Sequence, residues 1–445
     1  MDHEELNGFV AELVERHGLP GMAVGVQHGE TRLLAAAGLR NAFTGDPATP
    51  DTMFQIGSLT KMYTATLVMG LVDAGAVSLD DTLDTLLPEL RLAGDPDLSA
   101  VTLRMLVTHT SGIEGDSFFD TGRNDDAVAR LVERLEQIGM VHEPGSTWSY
   151  CNTGFVLAGR VVEKLTGLPW RLALSERLVA PLGAASPVTL LDDVLRYRAS
   201  TGHVGSPGRL QPADLASMPW SQAPAGSRSF GRVDDLLTFA CLHMDGGVTA
   251  DGTRLLSGQA VDLMASHVAD QPVSMTAGQG IGWFLLDESP ELVVGHAGDT
   301  VGYAALLLLA PRRRLAVASL ANAEWGVGAN FEAAFTLFAA LEGIDVSAPG
   351  ARSGGESPAL AGLAGRYERQ GGSAEVEAEA EGLLVTLVTS DELRGERSES
   401  LRLIPAGGSV FVDAEDPTSF PFEFLGDGER PEYFLAGARV MRRVP

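Results

Sequence analysis

The sequence predicts an α/β fold: an antiparallel sheet flanked by helices and interrupted by a mostly α-helical insertion, with a small all-β domain after it. Three observations carry that expectation. Short apolar runs occur near residues 22–37 and again near 281–321, a long helix-patterned stretch lies between them from about 76 to 230, and a Pro/Gly/Ser-rich segment at 346–358 is followed by repeated strand signals. The expected organisation is 1–345 for the first unit, 346–358 for a linker and 359–445 for a small β-barrel. At 445 residues the chain exceeds the usual size of one hydrophobic core, which agrees with more than one unit.

Taken in order, Leu6, Phe9, Val10, Leu13 and Val14 recur at helical spacing behind an acidic start and give a first amphipathic helix. Met22 to Val26 and Arg32 to Ala37, separated by a Gln-His-Gly-Glu turn, read as a β-hairpin. Met62, Ala65, Thr66, Met69 and Val72 start a helix near Ser58 that stops at Gly75. The insertion reads as helices at VSLDDTLDTLLPEL, at VTLRMLVTHTSG, near 125–139 and at about 153–166, then a loop-rich stretch from 201 to 227. Strand-like runs return at Ile281–Asp287, Leu292–Gly295, Tyr303–Ala310 and Leu315–Ala321, and Arg312, Arg313 and Arg314 mark a solvated hairpin turn. A helix over about 328–342 closes this part beside the first. Beyond the linker, Glu375, Glu377, Glu379 and Glu381 alternate as the wet face of a strand.

Composition excludes some function classes. A net charge of −27 and a pI near 4.6 argue against nucleic acid and anionic membrane surfaces as partners. No basic region followed by an apolar run marks a signal peptide, and ALLLLA near 305–310 is far too short to span a bilayer. Cys151 and Cys241 form no disulfide framework and suit a reducing compartment, so the expected location is cytoplasmic.

The chemistry centres on Ser58-Leu59-Thr60-Lys61. Residues three apart share a helix face, so Lys61 reaches Ser58 and, once burial lowers its pKa from about 10.4, serves as the base that makes the serine a nucleophile. At a helix N-terminus the free N–H groups stabilise an oxyanion. With two lysines in the chain, Lys61 and Lys164, this spacing arises by chance with odds of about one in eight. Further sites add weight. Tyr150, with a pKa lowered by Lys61, is placed to relay a proton to the leaving group, and Asn152 to orient Lys61 and bond a substrate carbonyl. In His296-Ala297-Gly298-Asp299, Gly298 lets a substrate backbone approach an edge strand, and the Asp299 N–H completes the oxyanion hole.

The order S-x-x-K, Y-x-N about ninety residues later and H-x-G near the end of the first unit resembles the serine β-lactamase and penicillin-binding-protein superfamily, in its class C β-lactamase-like branch. The runs GSLTKMYTATLVMGLVDAGAVSLDDTLDTLLPEL, LVTHTSG, EPGSTWSYCNTGFVLAGRVVEKLTG and PAGSRSFGRVDDLLTF extend the resemblance over about 5–345. It implies a β-lactamase/transpeptidase-like fold with Ser58 as acylated nucleophile, Lys61 as base and Tyr150 as second acid/base group. Asn152, His296, Gly298 and Asp299 would bind substrate, with no metal or organic cofactor. Residues 359–445 resemble the lipocalin-like domain that often follows in this branch. His296 departs from the K-T-G of true β-lactamases and D,D-peptidases, since a side chain of pKa near 6.5 is mostly neutral at cytosolic pH.

Esterases, D-aminopeptidase-like enzymes, acyltransferases and the penicillin-binding-protein-type thioesterases that cyclise nonribosomal peptides therefore resemble the pattern better. The expected substrate is a small-molecule or peptide acyl donor, either carrier-bound or thioester-activated, with a D-residue preference. A simple hydrolase and a non-catalytic ligand-binding or sensory protein are the alternatives; oligomeric state leaves no mark. His109 reads as a structural loop residue and Cys151 as packing. Trp148, Phe118, Phe119 and Trp220 read equally as substrate wall or core. Arg439, Arg442 and Arg443 bring cations to the cleft if the β domain folds over it.

Overall fold

The computed structural model describes residues 1–187, 189, 191–213, 218–287, 290–346, 357–391, 395–416, 420–426 and 430–445. Its main sheet has eight antiparallel strands: β1 (Gly21–His28), β2 (Thr31–Asn41), β3 (Asp46–Pro47), β4 (Gly278–Gln279), β5 (Phe284–Asp287), β6 (Val293–Thr300), β7 (Tyr303–Ala310) and β8 (Leu315–Ala321), in the order β3-β2-β1-β8-β7-β6-β5-β4. The first and last strand groups meet where β1 pairs with β8, Met22 opposite Ala321 through His28 opposite Leu315. β7 and β8 are buried along their whole length, as the apolar runs predict for strands covered on both faces.

One face carries α1 (His3–Arg16) and a later helix over Val327–Glu342. Leu6, Val10 and Leu13 pack with Ala333, Leu337 and Phe338 over Val24, Val317 and Leu308. Asp2 caps α1 in a reciprocal box with Glu5, which explains the acidic start. The opposite face carries α2 (Thr60–Asp73) and the insertion, whose helices include α3 (Leu103–Val107), α4 (Ala127–Arg134) and α5 (Asn152–Thr166), and then α6 (Val233–Met244). The helix over Val327–Glu342 is α7. Eleven of the fourteen residues of α2 are buried, so this helix runs through the core rather than along it.

Several expectations shift. VSLDDTLDTLLPEL forms only one helical turn, Leu83–Leu86, because its Asp and Ser residues favour turns. The loop-rich stretch holds a hairpin, His203–Ser206 with Arg209–Pro212, and a helix, α6, precedes the return to strands. The arginine turn is a hairpin connection in which Arg313 pairs with Glu291 and Arg314 with Asp245. The linker falls mostly outside the described residues.

The C-terminal strands close into an eight-stranded antiparallel barrel: β9 (Gly365–Arg369), β10 (Gly372–Ala378), β11 (Leu383–Asp391), β12 (Gly395–Gly407), β13 (Val410–Asp413), β14 (Phe422–Leu425), β15 (Tyr433–Ala436) and β16 (Arg439–Val444), with β16 returning to β9. Tyr367, Phe411, Phe422, Phe424 and Phe434 fill its interior with aromatic contacts, and Glu375 and Glu377 face outward. A separate apolar cluster joins the barrel to the first unit: Tyr433, Leu435 and Val440 against Val141 and Trp148 of the insertion and Met275. Phe434→Ala removes the ring that touches Tyr367, Phe422 and Phe424; urea unfolding should show a loss of about 3–5 kcal/mol.

Candidate active site

The chain leaves the short strand Phe54–Gln55 through one 3₁₀ turn, Gly57–Leu59, directly into α2. Ser58 therefore stands just before the free N–H groups of that helix. Lys61, one turn on, is fully buried, and its Nζ donates to Ser58 Oγ at 2.9 Å and to the Ala225 carbonyl at 2.7 Å. Both partners are neutral oxygens. Burial first, and then the Arg439 guanidinium, push the Lys61 ammonium well below the usual lysine range, with Asp116 and Cys151 acting the other way.

Tyr150 and Asn152 arrive from the loop that enters α5, whose first N–H groups are capped by the Cys151 sulfur. The Tyr150 ring lies 4.8 Å from Lys61 Nζ. The expectation of a lowered tyrosine pKa is overturned: burial raises the phenol, and this outweighs its interaction with Ser58 and the nearby Arg439 charge. Tyr150 is thus a protonated phenol, a donor rather than a base. Asn152 Nδ2 donates to Asp116 Oδ1 at 3.0 Å, while the Lys61 hydrogen bonds go to Ser58 and Ala225. Cys151 packs as expected, donating its thiol to the Ile113 carbonyl, and burial pushes that thiol up to about 12.

His109 is more than a loop residue. Its Nδ1 accepts the Cys151 N–H at 2.9 Å, which makes the imidazole neutral with its hydrogen on Nε2, and its ring stacks on Tyr150 at 4.4 Å. Trp148 is core, donating to Gln279 Oε1 at 3.0 Å, and Phe119 is buried in the same cluster as α4.

His296, Gly298 and Asp299 lie within β6. That strand pairs with β5 only as far as Gly295, so its second half is an open edge facing the serine turn. A Cβ on Gly298 would sit 2.1 Å from the Ile56 carbonyl oxygen, and one on Gly57 would sit 2.9 Å from the Asp299 nitrogen. Gly298 therefore lets the serine turn itself, rather than a substrate, close on the strand, bringing the Asp299 N–H beside Ser58. The His296 Nδ1 is 2.5 Å from the Ala297 carbonyl, an acceptor, so Nδ1 carries the hydrogen and Nε2 keeps a lone pair, buried without a partner. Burial takes this histidine down to about 3, and its ring stacks on Phe284 at 4.4 Å.

The barrel completes the wall. Arg439 reaches Asp116 through Nε at 2.8 Å and Nη2 at 3.0 Å, and its guanidinium lies 5.0 Å over the Tyr150 ring. Arg442 and Arg443 stay away: the first pairs with Glu432, the second with the Gly362 and Ala364 carbonyls. Asp116 and Phe284 carried no signal in the sequence, because a single acid in a loop and a single aromatic in a strand read as ordinary surface and core. Among the described residues no group of His, Cys, Asp and Glu is arranged to hold a metal ion, and no helix is long and apolar enough to cross a membrane.

Comparison with known proteins shows the family. The β-lactamase family profile matches residues 6–341. The chain is 38% identical over 389 residues to penicillin-binding protein 4 of Amycolatopsis lactamdurans, covering 84% of this chain and 99% of that protein. The crystal structure of SurE superposes with a TM-score of 0.79 at 28% identity over 99% of both chains, and its structure with D-Leu with 0.73 at 27%, again over 99% of both. A D-stereospecific amidohydrolase from Streptomyces sp. matches with 0.60 at 25% identity, over 77% of this chain and all of that one.

Gly298→Ala tests the close approach of turn and strand. With its Cβ forced against the Ile56 carbonyl, the turn must shift by about an ångström, and any turnover measured should fall on the order of 10²-fold while the circular dichroism spectrum is kept.

Proposed function

Because the chain belongs to the β-lactamase family of serine hydrolases and acyltransferases, we propose that it works through an acyl-enzyme on Ser58, taking peptide esters, thioesters or amides and passing the acyl group preferentially to an amine. The observation that carries this reading is the 2.9 Å contact between Ser58 Oγ and a buried Lys61 whose pKa is far below its ordinary value. A neutral Lys61 takes the hydroxyl proton as Oγ attacks the acyl carbonyl. The N–H groups of Ser58 and Asp299 would stabilise the oxyanion. On collapse the carbon–sulfur, carbon–oxygen or carbon–nitrogen bond breaks, and Tyr150 gives its proton to the leaving group and regains one from Lys61. In the second half an amine or water attacks, its proton passes to the Lys61 and Tyr150 pair, and Ser58 Oγ is released with a proton.

The choice of acceptor follows from charge. Where related enzymes of the K-T-G pattern hold a cation, His296 offers an uncharged lone pair at Nε2, which receives an N–H and gives a carboxylate no attraction. An amine of the same peptide is then a suitable acceptor, which makes the protein a peptide-cyclising thioesterase of the penicillin-binding-protein type. The D-Leu complex of SurE and the D-stereospecific amidohydrolase support a D-residue at the acyl donor or its leaving group. The same amidohydrolase favours a second reading, a D-aminopeptidase-like hydrolase with water as acceptor.

Mass spectrometry of peptidyl N-acetylcysteamine thioesters ending in L- or D-residues decides between them. A Ser58-dependent product one water lighter than the linear acid means cyclisation, the linear acid alone means hydrolysis, and no Ser58 adduct with any thioester or ester means a ligand-binding protein. Ser58→Ala should abolish turnover and Lys61→Ala should lower it by about 10² to 10⁴. Lys61 acts unprotonated, so the rate should fall as pH drops through its lowered pKa. Arg439→Met removes a neighbouring cation, raises that pKa and should move the acid limb of the profile to higher pH.

A further inference from the structure

Two barrel arginines converge on one carboxylate of the catalytic part. Arg369 of β9 binds Glu114 Oε1 through Nη1 at 2.7 Å and Asp116 Oδ2 through Nη2 at 3.3 Å, and Arg439 of β16 grips both oxygens of Asp116. The result is a row of alternating charge, Glu114, Arg369, Asp116, Arg439, whose sum is zero. Its first three members are largely shielded from solvent, with side chains 4%, 10% and 14% exposed for Glu114, Arg369 and Asp116.

The row ends in the active site twice. Asp116 accepts the Asn152 amide, and because a carboxylate only accepts, Asn152 must turn its NH₂ toward it; the amide is oriented by that chemistry. At the far end Arg439 lies over Tyr150, and the adjoining backbone clamps the same loop: the Ala438 carbonyl accepts the Tyr150 N–H at 2.9 Å, and the Val440 N–H donates to Ser149 Oγ at 3.2 Å. Ala438 holds a left-handed φ of 65°, uncommon for a residue with a Cβ, at the very carbonyl that meets Tyr150.

We infer that Arg369, which touches no reacting atom, is a positioning residue: through Asp116 it fixes Asn152 and Arg439, and so makes the geometry at Ser58 depend on the docked barrel. The inference rests on the Ser58 acyl-enzyme reading. Its electrostatic consequence has a definite sign. While Asp116 is shared between two guanidiniums it neutralises Arg439 only in part, and the remainder of that charge falls on Lys61, which also faces Tyr150, His109, His296 and Cys151. Without Arg369, Asp116 belongs wholly to Arg439, less positive field reaches Lys61, and its pKa rises.

The test is the pH profile of Ser58-dependent hydrolysis of p-nitrophenyl butyrate by the full chain, for wild type, Arg369→Met and Arg369→Lys. Arg369→Met should lower kcat on the order of 10²-fold with KM little changed, and move the acid limb to higher pH. Arg369→Lys, which keeps the charge without the fork, should recover part of both. If Arg369→Met does not fold, the pair Glu114→Gln with Arg369→Gln removes both charges together and decides the case by the same readouts. A folded variant with wild-type kcat per active site and an unmoved acid limb overturns the inference. Absence of any Ser58-dependent turnover in the wild type counts instead against the acyl-enzyme reading itself.

Discussion

Everything near Ser58 answers to the burial of Lys61. An ammonium enclosed with only a hydroxyl and a carbonyl for partners carries a desolvation penalty of several kcal/mol, and a protein escapes that penalty most simply by letting the proton go. The surroundings keep that escape open. His109 and His296 are kept neutral by burial and by the nearby Lys61, Tyr150 keeps its proton, and Asp116 is already engaged by two arginines. A free acid beside Lys61 would restore the ammonium. Two guanidiniums on Asp116 prevent this, and one of them stands near enough to push the lysine further down.

This couples chemistry to architecture. α2 has to be a core helix so that its first turn lies away from water, and the serine turn has to close on β6 backbone to backbone, which the missing Cβ of Gly57 and of Gly298 permits. The barrel is tied to the same arrangement by an apolar cluster around Trp148 and by Arg369 and Arg439. A rigid scaffold of that kind suits a group transfer in which the proton must move between fixed atoms.

The parts legible in the sequence are those whose signal is local. S-x-x-K spacing puts two side chains on one face of one helix, continuous apolar runs mark β7 and β8, and helical spacing of apolar residues marks α1. What was missed depends on partners far away along the chain. Arg439 and Asp116 are separated by 323 residues, and nothing near either announces the other. The direction of the Tyr150 shift is illegible for the same reason: a lysine is visible in the motif, whereas the burial that raises the phenol is a property of the whole fold. The hairpin over His203–Pro212 hid behind Gly and Pro residues that also describe loops.

Among the buried polar atoms without a partner, one acceptor belongs to a residue of the site. His296 Nε2 is buried and unpaired, and leaving such an acceptor unmet costs about 1–3 kcal/mol. No charge on the ring repays it, since burial and the nearby Lys61 keep the imidazole neutral against the opposing pull of the Ala297 carbonyl. An incoming molecule that supplies a donor would recover that cost. In the proposed reaction that donor is an N–H, and the binding energy it returns appears only with the acceptor amine in place. Water can also donate to Nε2, whereas in the proposed reaction an amine held by the rest of its own peptide would meet Phe284, Tyr150 and Arg439 as well.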